Sequence, residues 1–149
     1  MKSMIGFLFF LLFMAGFALV SLQARQAAPN AEAADVSELA DTAWRPLRIF
    51  GNTVSPEFGQ TVEFSSDGRL YGNGGCNRYS GRYEYADDRF RVASMRATTR
   101  ECDDPVTATE RQLFDVFRDA REVEFVDENL RFLNEDGQWL ATLEAVNEL

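Results

Sequence analysis

The sequence predicts an α+β domain of about eight short antiparallel strands, a curled meander or partly closed barrel, with one helix between the fifth and sixth strands. Three observations predict it. Apolar and polar residues alternate over short runs on both sides of residue 100, the period of a half-buried strand. Turn residues such as Asp67-Gly68 and Glu135-Asp136-Gly137 separate those runs by a few positions, which suits antiparallel pairing and is too short for parallel crossovers. One stretch, 103–120, changes to helical spacing.

The elements follow in order. "AWRPLRIF" (43–50) is a first strand, interrupted by Pro46, which suits an edge or a bulge. "TVEFSSDGRLYGN" (61–73) is two strands about Asp67-Gly68, with Val62 and Phe64 facing inward. In "RYSGRYEYADDRFRVASM" (78–95), Tyr79, Gly81, Tyr83 and Tyr85 share one face, while Arg78, Ser80, Arg82 and Glu84 share the other. Ala86 to Asp88 turn the chain, and Phe90 and Val92 alternate with Arg89 and Arg91.

In "DDPVTATERQLFDVFRDA" (103–120), Val106, Leu113, Phe114, Phe117 and Ala120 fit a helix. Asp104 before Pro105 is one start, because proline suits the first helical position. Thr107 with Glu110 is another, as a capping box. Three strands close the domain: "EVEFV" (122–126), "LRFL" (130–133) and "QWLATLEAV" (138–146).

Ahead of this region the chain reads differently. Residues 1–24 hold the one lysine, Lys2, and then the uncharged run Met4 to Leu22. A basic start and an apolar run describe a secretory signal peptide. Nineteen residues also approach the roughly twenty that span a bilayer, so an uncleaved anchor over residues 4–22 is the rival. Neither cysteine lies near residue 24 to accept a lipoprotein anchor. Both readings export the domain to the periplasm or cell envelope. Residues 25–40 read as a linker rich in Ala and small polar residues. The folded domain is expected over 41–146, enough for one core that buries about 60–65% of its unfolded surface.

Composition narrows the chemistry. The chain carries 24 acidic residues and a net charge of −9, which disfavours nucleic acid and anionic membrane as partners. Its 14 arginines do not cluster strongly along the sequence and read as solvated partners of the acids. There is no histidine, so the usual base of nucleophilic triads and the commonest metal ligand are missing. Cys76 and Cys102 are too few for a structural zinc site. In an exported domain they favour a disulfide, with two unpaired thiols as the alternative and a catalytic thiol a remote one.

The remaining candidates each have a structural explanation. "GNGGC" lacks the strand-then-helix context and the Gly-Lys-Ser/Thr ending of phosphate loops, and reads as a corner between strands. Asp87-Asp88, Asp103-Asp104 and Glu135-Asp136 are adjacent carboxylates. Acid–base catalysis needs two carboxylates facing across a cleft, whereas these sit where Asp is favoured in turns and helix starts. Tyr79, Tyr83 and Tyr85 either fill the core with hydroxyls reaching its rim or line a ligand cavity.

Several short elements, in order, resemble the META domain, the family of HslJ-like heat-inducible proteins. Trp44 opens the domain in "TAWRPL"; Gly75, Cys76 and Asn77 form a Gly-Cys-Asn element; Tyr79, Gly81 and Tyr83 follow. Next come "SMRATTREC", with Met95, Thr98, Thr99, Arg100 and Cys102, and then Glu110 ahead of "LFDVF". The resemblance implies a small antiparallel domain with one helix in exported or envelope proteins. It links the chain to heat stress, novobiocin tolerance, and motility or virulence. It brings no catalytic residues, cofactor or metal.

The functional expectation is a non-enzymatic envelope domain in stress tolerance, acting through protein or envelope contacts. The alternative is small-ligand binding in a cavity lined by Tyr79, Tyr83 and Tyr85. The expected partner is an envelope protein or small ligand rather than nucleic acid. The membrane enters only through the N-terminal segment, if uncleaved.

Overall fold

The computed structural model describes residues 38–87 and 89–146. The leader-or-anchor run and nearly all of the expected linker lie outside the described residues, among which no helix is long and apolar enough to cross a membrane. Nine strands and one helix follow in chain order. They are β1 (Thr42–Ile49), β2 (Asn52–Thr53), β3 (Val62–Phe64), β4 (Arg69–Asn73), β5 (Arg78–Ala86), β6 (Arg89–Ala97), α1 (Asp104–Asp119), β7 (Glu122–Val126), β8 (Asn129–Leu133) and β9 (Trp139–Ala145). Every strand pair is antiparallel.

The sheet order is β6-β5-β4-β3-β1-β9-β8-β7, with β2 paired to β1. Two meanders therefore join where the first strand pairs with the last. Helix α1 carries the chain from one end of this order, β6, to the other, β7. The Phe90 amide donates to the Arg121 carbonyl at 2.7 Å, so the two ends nearly meet. The result is a curled, partly closed sheet with the helix over its interior.

The expected helix position between the fifth and sixth strands is corrected: α1 lies between the sixth and seventh. The extra strand is β2, made by a two-residue hairpin at Phe50 (φ 48°) and Gly51 (φ 80°). Both residues have the left-handed backbone that tight hairpins require, and Phe50 gives no sequence signal for it. Pro46 sits in a central strand, not an edge. It is accommodated by a register shift between Pro46 and Arg48, the bulge that a missing N–H favours.

The core is built from both halves. Phe64, Phe90, Phe117 and Phe132 are fully buried. Phe90 packs on Phe132 with ring centroids 5.2 Å apart, and Phe117 on Phe132 at 6.1 Å. Helix α1 contributes Leu113, Val116 and Phe117 from one face, so its apolar stripe closes the curled sheet.

Close approach, rather than turn geometry, dictates one glycine. A Cβ on Gly72 would lie 2.1 Å from the Thr61 carbonyl oxygen, a backbone atom that no rotamer change can move. Gly72→Ala should lower unfolding free energy by about 2–3 kcal/mol, read by urea denaturation. A change below about 0.5 kcal/mol would show that β3 and β4 separate freely.

Arg45, Arg69 and Arg118 form exposed pairs with acids, as the sequence reading expects, but the arginines also gather in space. Strand register brings Arg69, Arg78, Arg82, Arg89, Arg91 and Arg96 to the outer face of β4–β6, all exposed. Period-two alternation across paired strands creates this grouping.

Candidate functional site

The Gly-Cys-Asn corner carries a dense, buried polar network. It lies between β4 and β5, where Gly75 adopts φ 106° and the Asn73 side chain accepts the Gly75 amide at 2.9 Å. The Gly74 amide donates to the Asn77 carbonyl at 2.7 Å. Helix α1 points Glu110 into this corner, although Glu110 is only 5% exposed. Its carboxylate accepts the Cys76 amide at 3.2 Å, the Asn77 amide at 2.6 Å and the Asn77 side-chain amide at 2.7 Å. Asn77 then uses its own oxygen to accept the Thr98 hydroxyl at 2.9 Å and the Arg100 amide at 2.7 Å.

Cys76 and Cys102 form a disulfide with Cα atoms 5.8 Å apart. Bond and hydrogen bonds together fasten three segments: the corner at 74–77, the strap at 98–102 and the helix. Capping by Glu110 is corrected. The helix starts at Asp104 with Asp103 before it and Pro105 in its first turn, and Glu110 faces inward. The Thr107 hydroxyl donates to the Cys102 carbonyl instead.

Other motif residues are placed as follows. Trp44 is buried, donates its indole N–H to the Thr42 hydroxyl at 2.8 Å and packs near Phe125. Gly81 lets β6 approach: a Cβ there would lie 2.7 Å from the Met95 sulfur. Thr98 and the Arg100 backbone join the Asn77 network, while Thr99 is exposed. Asp103, Asp104, Glu135 and Asp136 are exposed, Asp87 is an exposed turn residue with φ 53°, and Asp88 lies outside the described residues.

Tyr79, Tyr83 and Tyr85 belong to the core, each 4% exposed. Tyr79 packs on Phe114 and Phe117, and Tyr83 on Phe64. The Tyr79 hydroxyl donates to the Thr61 carbonyl at 2.7 Å and Tyr83 to the Ser65 carbonyl at 3.0 Å. Burial pushes both phenols above their ordinary pKa, Tyr79 furthest, because a phenolate loses its hydration there.

Among several surface concavities, the one lined mainly by apolar side chains lies beside this row. A groove of about 380 Å³ runs between β6 and α1, lined by Val92, Met95, Ala97, Phe114 and Phe117 among others. Strand β6 ends the sheet order, so along Val92–Ala97 its outer edge has no strand partner among the described residues. Ser94 (φ 55°) interrupts the strand there, beside a register shift against β5. Sequence alternation found Val92, but the groove itself needs the helix that returns across β6.

Comparison with known proteins agrees with this geometry. The model of the META domain matches residues 37–147. No curated protein matches the chain. Among solved structures, a protein from Burkholderia xenovorans is similar in fold, with TM-score 0.60 and 21% identity, covering 82% of this chain and 99% of that one. A DUF4847 family protein from Bacteroides vulgatus ATCC 8482 is similar with TM-score 0.57 and 13% identity, covering 77% of this chain and 100% of that one. With the family model spanning the corner, the strap and the whole sheet, this chain belongs to the META domain family.

Proposed function

We propose that this META domain is a non-enzymatic contact module of the cell envelope, serving stress tolerance by holding an apolar segment of a partner protein. The observation that carries the reading is the groove between β6 and α1. It joins an open strand edge to half-buried apolar side chains, Val92, Met95 and Phe114. An extended partner strand adds to such an edge through its backbone and sets alternate side chains into the groove. The Glu110 network and the disulfide hold α1 against the corner that precedes β5, so the groove is built on rigid walls.

The same groove supports a second reading, a small apolar ligand, since its volume falls in the range of small-molecule sites. Retained mass on the purified domain in native mass spectrometry would favour the ligand over the protein partner.

The test is complementation. A strain lacking the protein should lose viability under heat or novobiocin, and the wild-type gene should restore it. Met95→Glu and Phe114→Glu place a charge in the groove and should fail to restore it, with expression, disulfide and thermal melt retained. Full restoration by both variants would remove the groove from the function.

A further inference from the structure

Exposed arginine in this domain is concentrated at one end of the sheet. The outer face of β4–β6 carries six exposed arginines: Arg69, Arg78, Arg82, Arg89, Arg91 and Arg96. Among the described residues its carboxylates are Glu84, opposite Arg91, and Asp67, which pairs with Arg69 at 2.7 Å; Glu63 and Asp41 stand at the margin beside Tyr71, and Asp87 is exposed in the β5–β6 turn. Arg78, Arg91 and Arg96 have no ion pair among the described residues. Arg69 and Arg82 are directly opposed across β4 and β5, an arrangement of like charges that costs stability by itself. The opposite end of the sheet order is mixed: Glu122, Glu124, Glu128 and Glu144 lie on or beside β7–β9, with Arg131 opposite Glu124 and Arg45 paired to Glu144.

We propose that the outer face of β4–β6 is an electrostatic docking surface for an anionic lipid bilayer. A sheet face offers its side chains in one broad layer, so several guanidinium groups meet several headgroup phosphates together. Each basic side chain near an anionic bilayer adds attraction that decays within a Debye length. Tyr71, 38% exposed, stands between Arg69 and Asn73 on this face. Its amphipathic ring suits the headgroup level. Both readings of the apolar run at residues 4–22, secretory leader or anchor, would take the chain to a membrane, which favours a bilayer over a polynucleotide as the anion. The acidic remainder is repelled by that bilayer and orients the domain with β4–β6 toward it. Overall charge disfavours such binding; segregation of that charge by the fold makes it available. This proposal does not depend on the groove beside α1.

Residues 33–149 suffice for the test. The described residues fall within one compact unit, and the solved structures of similar fold consist almost wholly of this domain, covered over 99% and 100% of their length. Without residues 4–22, binding cannot come from the apolar run. In low salt, the domain should sediment with phosphatidylcholine vesicles containing a third phosphatidylglycerol and stay in solution with phosphatidylcholine alone. Arg82→Gln with Arg91→Gln, neither of which lines the groove beside α1, should lower partitioning roughly thirtyfold. Arg48→Gln with Arg111→Gln, the same charge change on β1 and α1 outside β4–β6, should lower it less than twofold. Equal loss in both pairs, or absence of binding to the anionic vesicles, would overturn the proposal. So would tighter binding to a duplex oligonucleotide than to the vesicles.

Discussion

Glu110→Ala should destabilise the domain by about 3–5 kcal/mol, the largest loss expected from any single side chain outside the apolar core. Three donors converge on this carboxylate: the amides of Cys76 and Asn77 and the side-chain amide of Asn77. Truncation leaves those buried groups unsatisfied, at a cost of about 1–3 kcal/mol each before relaxation. It also releases Asn77, which holds Thr98 and the Arg100 amide. Glu110→Gln keeps the volume and one acceptor oxygen but turns an NH₂ toward donors. It should cost less, about 1–3 kcal/mol. Urea denaturation of both variants measures this. An alanine variant within 1 kcal/mol of wild type would show that water replaces the carboxylate at no cost.

Removing the disulfide should cost about 3.5 kcal/mol. Cys76 and Cys102 are 26 positions apart, and the chain-entropy model assigns roughly that value to a loop of this length. Folded domains hold only about 5–15 kcal/mol in total, so Cys76→Ser with Cys102→Ser should melt many degrees below wild type. The same loss should follow reduction of the wild-type protein. Thermal melts with and without reductant read it directly, and coincident melts would refute it.

The two changes should not add. Glu110 and Cys102 both hold the 74–77 corner, one from the helix and one from the strap, so loss of either loosens the other's attachment. Neighbouring sites in one network couple by about 0.5–3 kcal/mol. The triple variant should therefore lose less than the separate effects combined. Full additivity would mean that carboxylate and disulfide stabilise independent parts of the fold.

Much of this architecture was legible from local pattern. Alternation located Tyr79, Tyr83, Tyr85 and Phe90 on one inward face, and Val62 and Phe64 inward on β3, because a strand exposes its side chains with period two. The change to helical period found α1 to within a residue. Elimination and compartment favoured pairing of Cys76 with Cys102. Glu110 shows where local reading stops. Its spacing from Leu113 and Phe117 puts it on the buried stripe, yet as a charged residue near a helix start it reads as a cap. The deciding fact is a set of donors, two backbone amides and the Asn77 side-chain amide, more than thirty positions earlier, which no local signal announces.

By itself, then, the sequence determined the antiparallel class, the single helix, the inward residues and the glycine corner, since each depends on neighbours a few positions apart. Tertiary structure alone decided three things. β1 pairs with β9 across almost the whole chain, β2 forms from a left-handed Phe50, and six arginines separated along the sequence gather on one face. Each depends on register between distant strands, and register is set by the closure of the shared core rather than by any local run of residues.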